Sequence, residues 1–94
     1  MFTPAPGYET LAKTLERAHD RAAHGKGKER HANGQPFEEQ PLFQIMRHTS
    51  EDFATGQALK KIIESQGFTD RSKRVNELLD VIVYLSAAIQ HIER

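Results

Sequence analysis

The most regular hydrophobic pattern in the chain lies between residues 75 and 92. Large apolar residues recur there at alternating spacings of three and four, namely Val75, Leu78, Ile82, Leu85, Ile89 and Ile92. This is the period of an α-helix with one continuous apolar stripe, so we expect a helix from about Thr69 or Asp70 to the C-terminus. Most of the remaining circumference is apolar as well, and it is occupied by Leu79, Val81, Val83, Tyr84, Ala87 and Ala88. Such a helix must be covered on all sides.

Three further helices are predicted before this one. The first runs from Tyr8 to His24, with a narrow apolar stripe formed by Leu11, Leu15, Ala18 and Ala22. Pro41 can occupy the first position of a short helix that continues over residues 42–47. Thr49 or Ser50 is expected to cap a third helix that ends near Gln66.

Two glycines follow predicted helix ends. Gly25 comes directly after the first helix and Gly67 directly after the third. Glycine adopts the left-handed backbone conformation without a steric penalty, and helices often end on such a residue. We therefore expect both glycines to be left-handed.

The predicted fold is all-α: a small bundle of about four helices in a single domain over residues 1–94, with a long loop rich in glycine and lysine. The first three helices contain few large aliphatic residues with which to cover the last one. A symmetric partner copy would bury the remainder, so we predict a homo-oligomer whose seam is the stripe from Val75 to Ile92. The alternative is a last helix that is fully enclosed by its own monomer.

Composition narrows the class of protein further. Hydrophobic residues make up 37% and charged residues 28% of the 94 residues, the formal net charge is zero, and cysteine is absent. These values indicate a globular domain without disulfides or thiolate metal sites. No signal-peptide pattern is visible, and the longest apolar run, residues 81–89, is short for a membrane span, so we expect a cytoplasmic protein without a membrane partner. A nucleic-acid binder of this size would be basic overall, which argues against nucleic acid as a partner.

The segment over residues 25–40 carries the most distinctive chemistry. It contains three glycines, an Asn-Gly pair and a proline, which together exclude a regular element along its whole length. Glycine lets the backbone approach an anion closely, while basic side chains supply the countercharge. We therefore predict a binding site for a phosphorylated ligand, in which Lys26, Lys28, Arg30 and His31 contact phosphates. Tyr8 or Phe37 would offer a face for a base; a solvated loop without a ligand is the alternative.

A partial family resemblance concerns the last helix. Residues 76–85, Asn-Glu-Leu-Leu-Asp-Val-Ile-Val-Tyr-Leu, resemble the Glu-x-x-Asp helix of the MazG-like, all-α nucleoside-triphosphate pyrophosphohydrolases. In that family this motif and a Glu-x-x-Glu motif on the preceding helix hold Mg²⁺ against the triphosphate. The resemblance implies a metal or acid site at Glu77 and Asp80, which are three residues apart and share a helix face. The alternative is that they are ordinary polar residues on the solvent-facing strip of the helix, or ion-pair partners of Arg71, Lys73 or Arg74. Residues 53–64 contain only one acid, Glu64, so the first motif is missing.

The general character of the chain also resembles that of small phage-encoded proteins, some of which sequester nucleotide signals or inhibit host proteins. The sequence therefore leads to three hypotheses. The first is non-enzymatic binding or sequestration of a nucleotide or other phosphorylated small molecule by a helical homo-oligomer, with no cofactor. The second is a Mg²⁺-dependent pyrophosphohydrolase with a degenerate acidic site, and the third is a module that binds and inhibits a protein partner. With no nucleophilic cysteine or serine elbow in the sequence, we favour a protein that is not an enzyme.

Overall fold

A computed structural model of the protein describes residues 2–25 and 35–94. Four α-helices are present in these ranges: α1 over Glu9–His24, α2 over Pro41–His48, α3 over Asp52–Gln66 and α4 over Arg71–Ile92. A short 3₁₀ turn over Phe37–Glu39 precedes α2, and no strand occurs in the part of the chain that is described. The protein is therefore all-α with four helices, as the sequence predicts.

Near the starts of α3 and α4, polar side chains accept hydrogen bonds from the first backbone N–H groups of the helix. The Asp70 carboxylate accepts hydrogen bonds from the backbone N–H groups of Ser72 at 2.8 Å and Lys73 at 3.2 Å, which caps α4. At the start of α3, the Ser50 hydroxyl oxygen accepts a hydrogen bond from the backbone N–H of Asp52 at 3.1 Å. Each cap satisfies donors that the first turn of a helix leaves without an intrahelical partner. The Asp70 cap lies at the start that the sequence predicts for α4, whereas the N-cap position of α3 is Glu51, one residue after the predicted Thr49 or Ser50.

The predicted left-handed helix ends are wrong. Gly25 has a φ of −103° and Gly67 a φ of −87°, so neither residue is left-handed. After α3, Gly67 continues the right-handed turn and its N–H donates to the Glu64 carbonyl at 3.0 Å, which tightens the last turn into an i to i+3 bond. Gly25 is favoured for another reason, because a Cβ there would lie only 2.8 Å from the Arg21 carbonyl oxygen.

The core lies where α2 packs between the ends of α3 and α4. Its two largest fully buried side chains are Phe43 and Met46, both from α2. Phe37 packs edge-to-face on Phe43, with ring centroids 5.1 Å apart. The rest of the buried apolar set is mainly alanine, namely Ala18, Ala54, Ala58, Ala87 and Ala88, with Leu79 and Val81. Small side chains let helix backbones approach closely, but they bury little apolar surface.

Helix α4 is the central element of the bundle. It contacts α3 most extensively and also packs against α1 and α2. One flank is left uncovered by residues 2–25 and 35–94, since Leu78, Leu85 and Ile89 expose 45%, 44% and 56% of their surface. By length and composition alone, α4 could also cross a membrane, with a mean hydropathy of 1.2 over its best 18-residue window; core helices of soluble proteins pass the same test.

Replacing Phe43 tests whether α2 supplies the core. Phe43→Ala removes a fully buried ring and leaves a cavity, which should lower the free energy of unfolding by about 3–5 kcal/mol. The measurement is urea denaturation followed by circular dichroism. Phe2→Ala is the matched control, because Phe2 is exposed and its loss should change the free energy by less than about 0.5 kcal/mol. Equal effects of the two substitutions would contradict this location of the core.

Candidate functional site

Four charged side chains from three helices meet beside α4. The ammonium Nζ of Lys61 lies 3.3 Å from Glu77 Oε1 and 3.2 Å from Asp80 Oδ2. On the other side of Asp80, Arg21 Nε donates to Oδ1 at 2.7 Å and Nη2 donates to Oδ2 at 3.4 Å. Each of these four side chains is only about a fifth exposed, between 19% and 23%. We call these residues the ion-pair cluster.

Helix geometry explains why the cluster forms. Glu77 and Asp80 are three residues apart on α4, so their side chains lie one above the other on the same face. Lys61 belongs to the inward face of α3, where it follows Ala54 and Ala58 in the 3-4 spacing that the buried Ser65 continues. Arg21 extends from α1. The cluster therefore links α1, α3 and α4 through side chains that are largely shielded from water.

The charges of the cluster balance. Two carboxylates, Glu77 and Asp80, face two cations, Lys61 and Arg21. Burial by itself would lower the pKa of the Lys61 ammonium, but the carboxylates of Asp80 and Glu77 outweigh it and hold the pKa above its ordinary value of 10.5. The site thus keeps its lysine charged, and Lys61 and Arg21 together neutralise the two acids.

A cavity of about 360 Å³ opens directly beside the cluster. Arg21, Lys61 and Asp80 form its charged wall. The rest of the lining is largely aromatic and aliphatic, and includes Phe37, Leu42, Ile45, Phe53, Val83 and Tyr84. This size lies at the lower end of small-molecule sites, which combine mostly apolar walls with a few placed polar groups.

A second cavity, of about 630 Å³, adjoins the first along α1. The two cavities share Ala22, Phe37, Gln40 and Val83 as lining residues. His19 and His24 of α1 lie in the lining of the larger one. Together the two cavities form a continuous recess between α1, α4 and the segment that leads into α2.

Of the six residues predicted to bind a ligand, the structure describes two, Phe37 and Tyr8, and only Phe37 lies in a cavity wall. Phe37 lies in the walls of both cavities and is half-buried. Tyr8 is 59% exposed at the start of α1 and is not part of either lining. The predicted phosphate contacts Lys26, Lys28, Arg30 and His31 lie outside the described residues.

Glu77 and Asp80, predicted as a metal or acid site, are brought together on one face of α4. Their partners are Lys61 and Arg21, which the sequence analysis does not single out. The sequence does contain a signal for Lys61, because it lies on the same face of α3 as the buried Ala54, Ala58 and Ser65. Within residues 2–25 and 35–94, no group of three or more histidine, aspartate or glutamate side chains is arranged to hold a metal ion.

Comparison with protein-family models, with curated proteins and with solved structures finds no match to this chain. The interpretation of the site therefore depends on its own geometry and chemistry.

Removing the lysine charge tests the cluster. Lys61→Met leaves Glu77 without its cation. We expect the free energy of unfolding to fall by about 1–3 kcal/mol, which is more than the loss of an exposed ion pair costs and less than the loss of one partner of a fully buried pair. The pKa of Lys61 is raised in the folded state. The ion pairs of Lys61 therefore stabilise the fold fully below the unfolded pKa of about 10.5, and this stabilisation disappears as pH rises through the folded pKa. The difference between wild type and variant should therefore be constant from pH 7 to about 9.5 and shrink above about pH 10.5.

Urea denaturation across this pH range makes the measurement, and Lys60→Met on the exposed side of α3 is the control. The control should change stability by less than about 0.5 kcal/mol at every pH. A Lys61→Met variant as stable as wild type at pH 7 would contradict the role of the cluster.

Proposed function

We propose that this protein binds a small phosphorylated molecule of the nucleotide class and does not convert it chemically. The observation that supports this proposal most strongly is the 360 Å³ cavity, which combines an aromatic and aliphatic lining with a charged wall at Arg21, Lys61 and Asp80. A nucleotide has matching parts, a flat apolar base and an anionic phosphate. The cavity offers a surface for each.

The aromatic side of the cavity suits a planar base. Phe37, Phe53 and Tyr84 line it from three different parts of the chain, ahead of α2, in α3 and in α4. Stacking of a base on an aromatic side chain contributes roughly 1–3 kcal/mol per base and tolerates different bases. This lining favours recognition of a ring system rather than of an extended aliphatic chain.

The cationic side of the cavity suits a phosphate. A guanidinium group has five N–H donors in a planar fork. The pair with Asp80 uses two of those of Arg21, one on Nε and one on Nη2. The remaining donors of Arg21 would contact a phosphate oxygen while Asp80 keeps the side chain oriented.

The basic segment predicted from the sequence belongs to the same proposal. Lys26, Lys28, Arg30 and His31 follow Ala22, which lines both cavities, and precede Phe37, which lines both as well. The described chain on either side of the segment therefore reaches the recess. We propose further phosphate contacts for Lys26, Lys28, Arg30 and His31.

Hydrolysis is the less favoured function, for an electrostatic reason. A Mg²⁺ ion that also holds phosphates needs carboxylates with uncompensated negative charge. Glu77 and Asp80 each have a cation of the chain within 3.3 Å. A dication at this position would have to displace Lys61 and would leave its ammonium buried without a partner.

Calorimetric titration tests the proposal with a panel of mono-, di-, tri- and cyclic nucleotides, and with inorganic phosphate as a separate probe. We expect at least one nucleotide to bind with submillimolar affinity. Arg21→Gln should weaken it by about 10- to 100-fold, the effect of losing one or two charge-assisted hydrogen bonds. Arg17→Gln is the matched control, since Arg17 is an exposed arginine one turn earlier on α1, and it should leave affinity unchanged.

Absence of binding by folded protein at millimolar nucleotide would overturn the proposal, as would equal effects of the two arginine substitutions. The bound nucleotide should also be recovered intact after incubation with Mg²⁺. Release of pyrophosphate that is lost in Glu77→Gln would establish the pyrophosphohydrolase instead.

A further inference from the structure

Helices α3 and α4 leave an exposed apolar face on the flank away from the cavity. We define the apolar face by its exposed aliphatic residues, Leu59, Val75, Leu78, Leu85, Ile89 and Ile92. Lys61 and Asp80 lie on the opposite flank of this helix pair, where α1 contributes Arg21. With 3.6 residues per turn, Leu59 lies nearly opposite Lys61 around α3, and the α4 stripe lies on the other side of its helix from Asp80.

The area of the face matches that of a dimer interface. Its six residues expose between 38% and 64% of their surface, which corresponds to roughly 500 Å² of apolar area per copy when each aliphatic residue is taken as about 180 Å². A standard interface buries about 800 Å² per partner, and about 65% of it is apolar in homodimers, so roughly 500 Å² is expected. Single exposed leucines are ordinary, but five residues of this face follow one another along a single helical stripe of α4, and such a stripe indicates a contact surface.

We propose that the apolar face is covered by the same face of a second copy, with the two α4 helices antiparallel about a two-fold axis. The axis would cross α4 between Val83 and Tyr84. The stripe residues then pair as Val75 with Ile92, Leu78 with Ile89, and Ile82 with Leu85, so each stripe residue meets another. Such an interface is isologous, because the same surface of each copy contacts the other.

The charges at the two ends of α4 favour the antiparallel arrangement. Arg71, Lys73 and Arg74 are all exposed in the first turn of the helix. A parallel pair would place these cations of both copies side by side, where like charges repel. An antiparallel pair places Arg74 opposite the partner's Glu93 and Lys73 opposite the partner's Arg94, next to the C-terminal helix end, whose unpaired carbonyl groups carry partial negative charge.

None of the six residues of the face lines the 360 Å³ ligand cavity, so the test of the dimer does not depend on nucleotide binding; Ile82, which would meet the partner's Leu85, lines only the second cavity. Sedimentation equilibrium should give a dimer at micromolar concentration, twice the chain mass of 10.7 kDa. Leu85→Glu should give a folded monomer with unchanged circular dichroism at pH 7, because Leu85 is already 44% exposed in the single chain. Leu11→Glu is the matched control, an exposed leucine on α1 that should leave the dimer intact.

The proposal is overturned if wild type remains monomeric at 100 μM or if Leu11→Glu dissociates the dimer while Leu85→Glu does not. It is also overturned if monomeric wild type cosediments with vesicles of phosphatidylcholine and phosphatidylglycerol, since the face would then cover a bilayer. Should Leu85→Glu unfold the chain, Leu78→Ser and Ile89→Ser replace it, with a weakening of dimerisation of at least tenfold expected for each.

Orientation has its own measurement, because the absence of cysteine allows clean single-site spin labelling. At 1.5 Å rise per residue, labels at Arg74→Cys of the two copies would be about 28 Å apart along the helix in the antiparallel dimer. Labels at Glu93→Cys of the two copies would be separated by a similar distance. A mixture of the two labelled variants would instead show a short distance, between residue 74 of one copy and residue 93 of the other. A short distance in the Arg74→Cys homodimer would establish the parallel arrangement and overturn this one.

Discussion

The packing of this chain depends on two partly buried carboxylates of its central helix. Glu77 and Asp80 occur on α4, and a partly buried carboxylate is costly unless it is paired and hydrogen-bonded. Lys61 of α3 and Arg21 of α1 provide that pairing at distances of 2.7–3.3 Å. The pairing fixes the flank of α4 on which α1 lies. The cavity and the exposed apolar face then follow as the two opposite flanks of one helix pair.

The same pairing is the ground on which we propose a structural role for the acids rather than a metal site. A Glu-x-x-Asp pair on a helix fits a metal site when its charge is uncompensated, and it fits a structural cluster when cations of the chain reach it. Here the cations reach it, and the raised pKa of Lys61 keeps the lysine charged at neutral pH. The acids pair with cations of α1 and α3, and Arg21 also lines a cavity of about 360 Å³. On this ground we propose binding rather than hydrolysis.

Local features of the fold could be predicted from the sequence, whereas the partners of the cluster could not. Ser50 and Asp70 act as helix caps because capping depends on residues two or three positions apart. The backbone of Gly25 and Gly67 was predicted wrongly, because helix ends can also be satisfied by a tightened last turn. Arg21 and Asp80 are 59 positions apart, and only the packing of α1 on α4 brings them together. Phe37 was predicted as a ligand contact from its position after the glycine-rich segment, and the structure places it in the cavity wall.

The most direct test of this account is the response of Glu77 and Asp80 to a divalent ion, measured by paramagnetic relaxation of backbone amide signals during titration with Mn²⁺. The account predicts no selective broadening of residues 76–81 at about 1 mM Mn²⁺, because the carboxylates remain paired with Lys61 and Arg21. Selective broadening centred on Glu77 and Asp80 at lower concentrations would show that these acids form a metal site and would contradict the account.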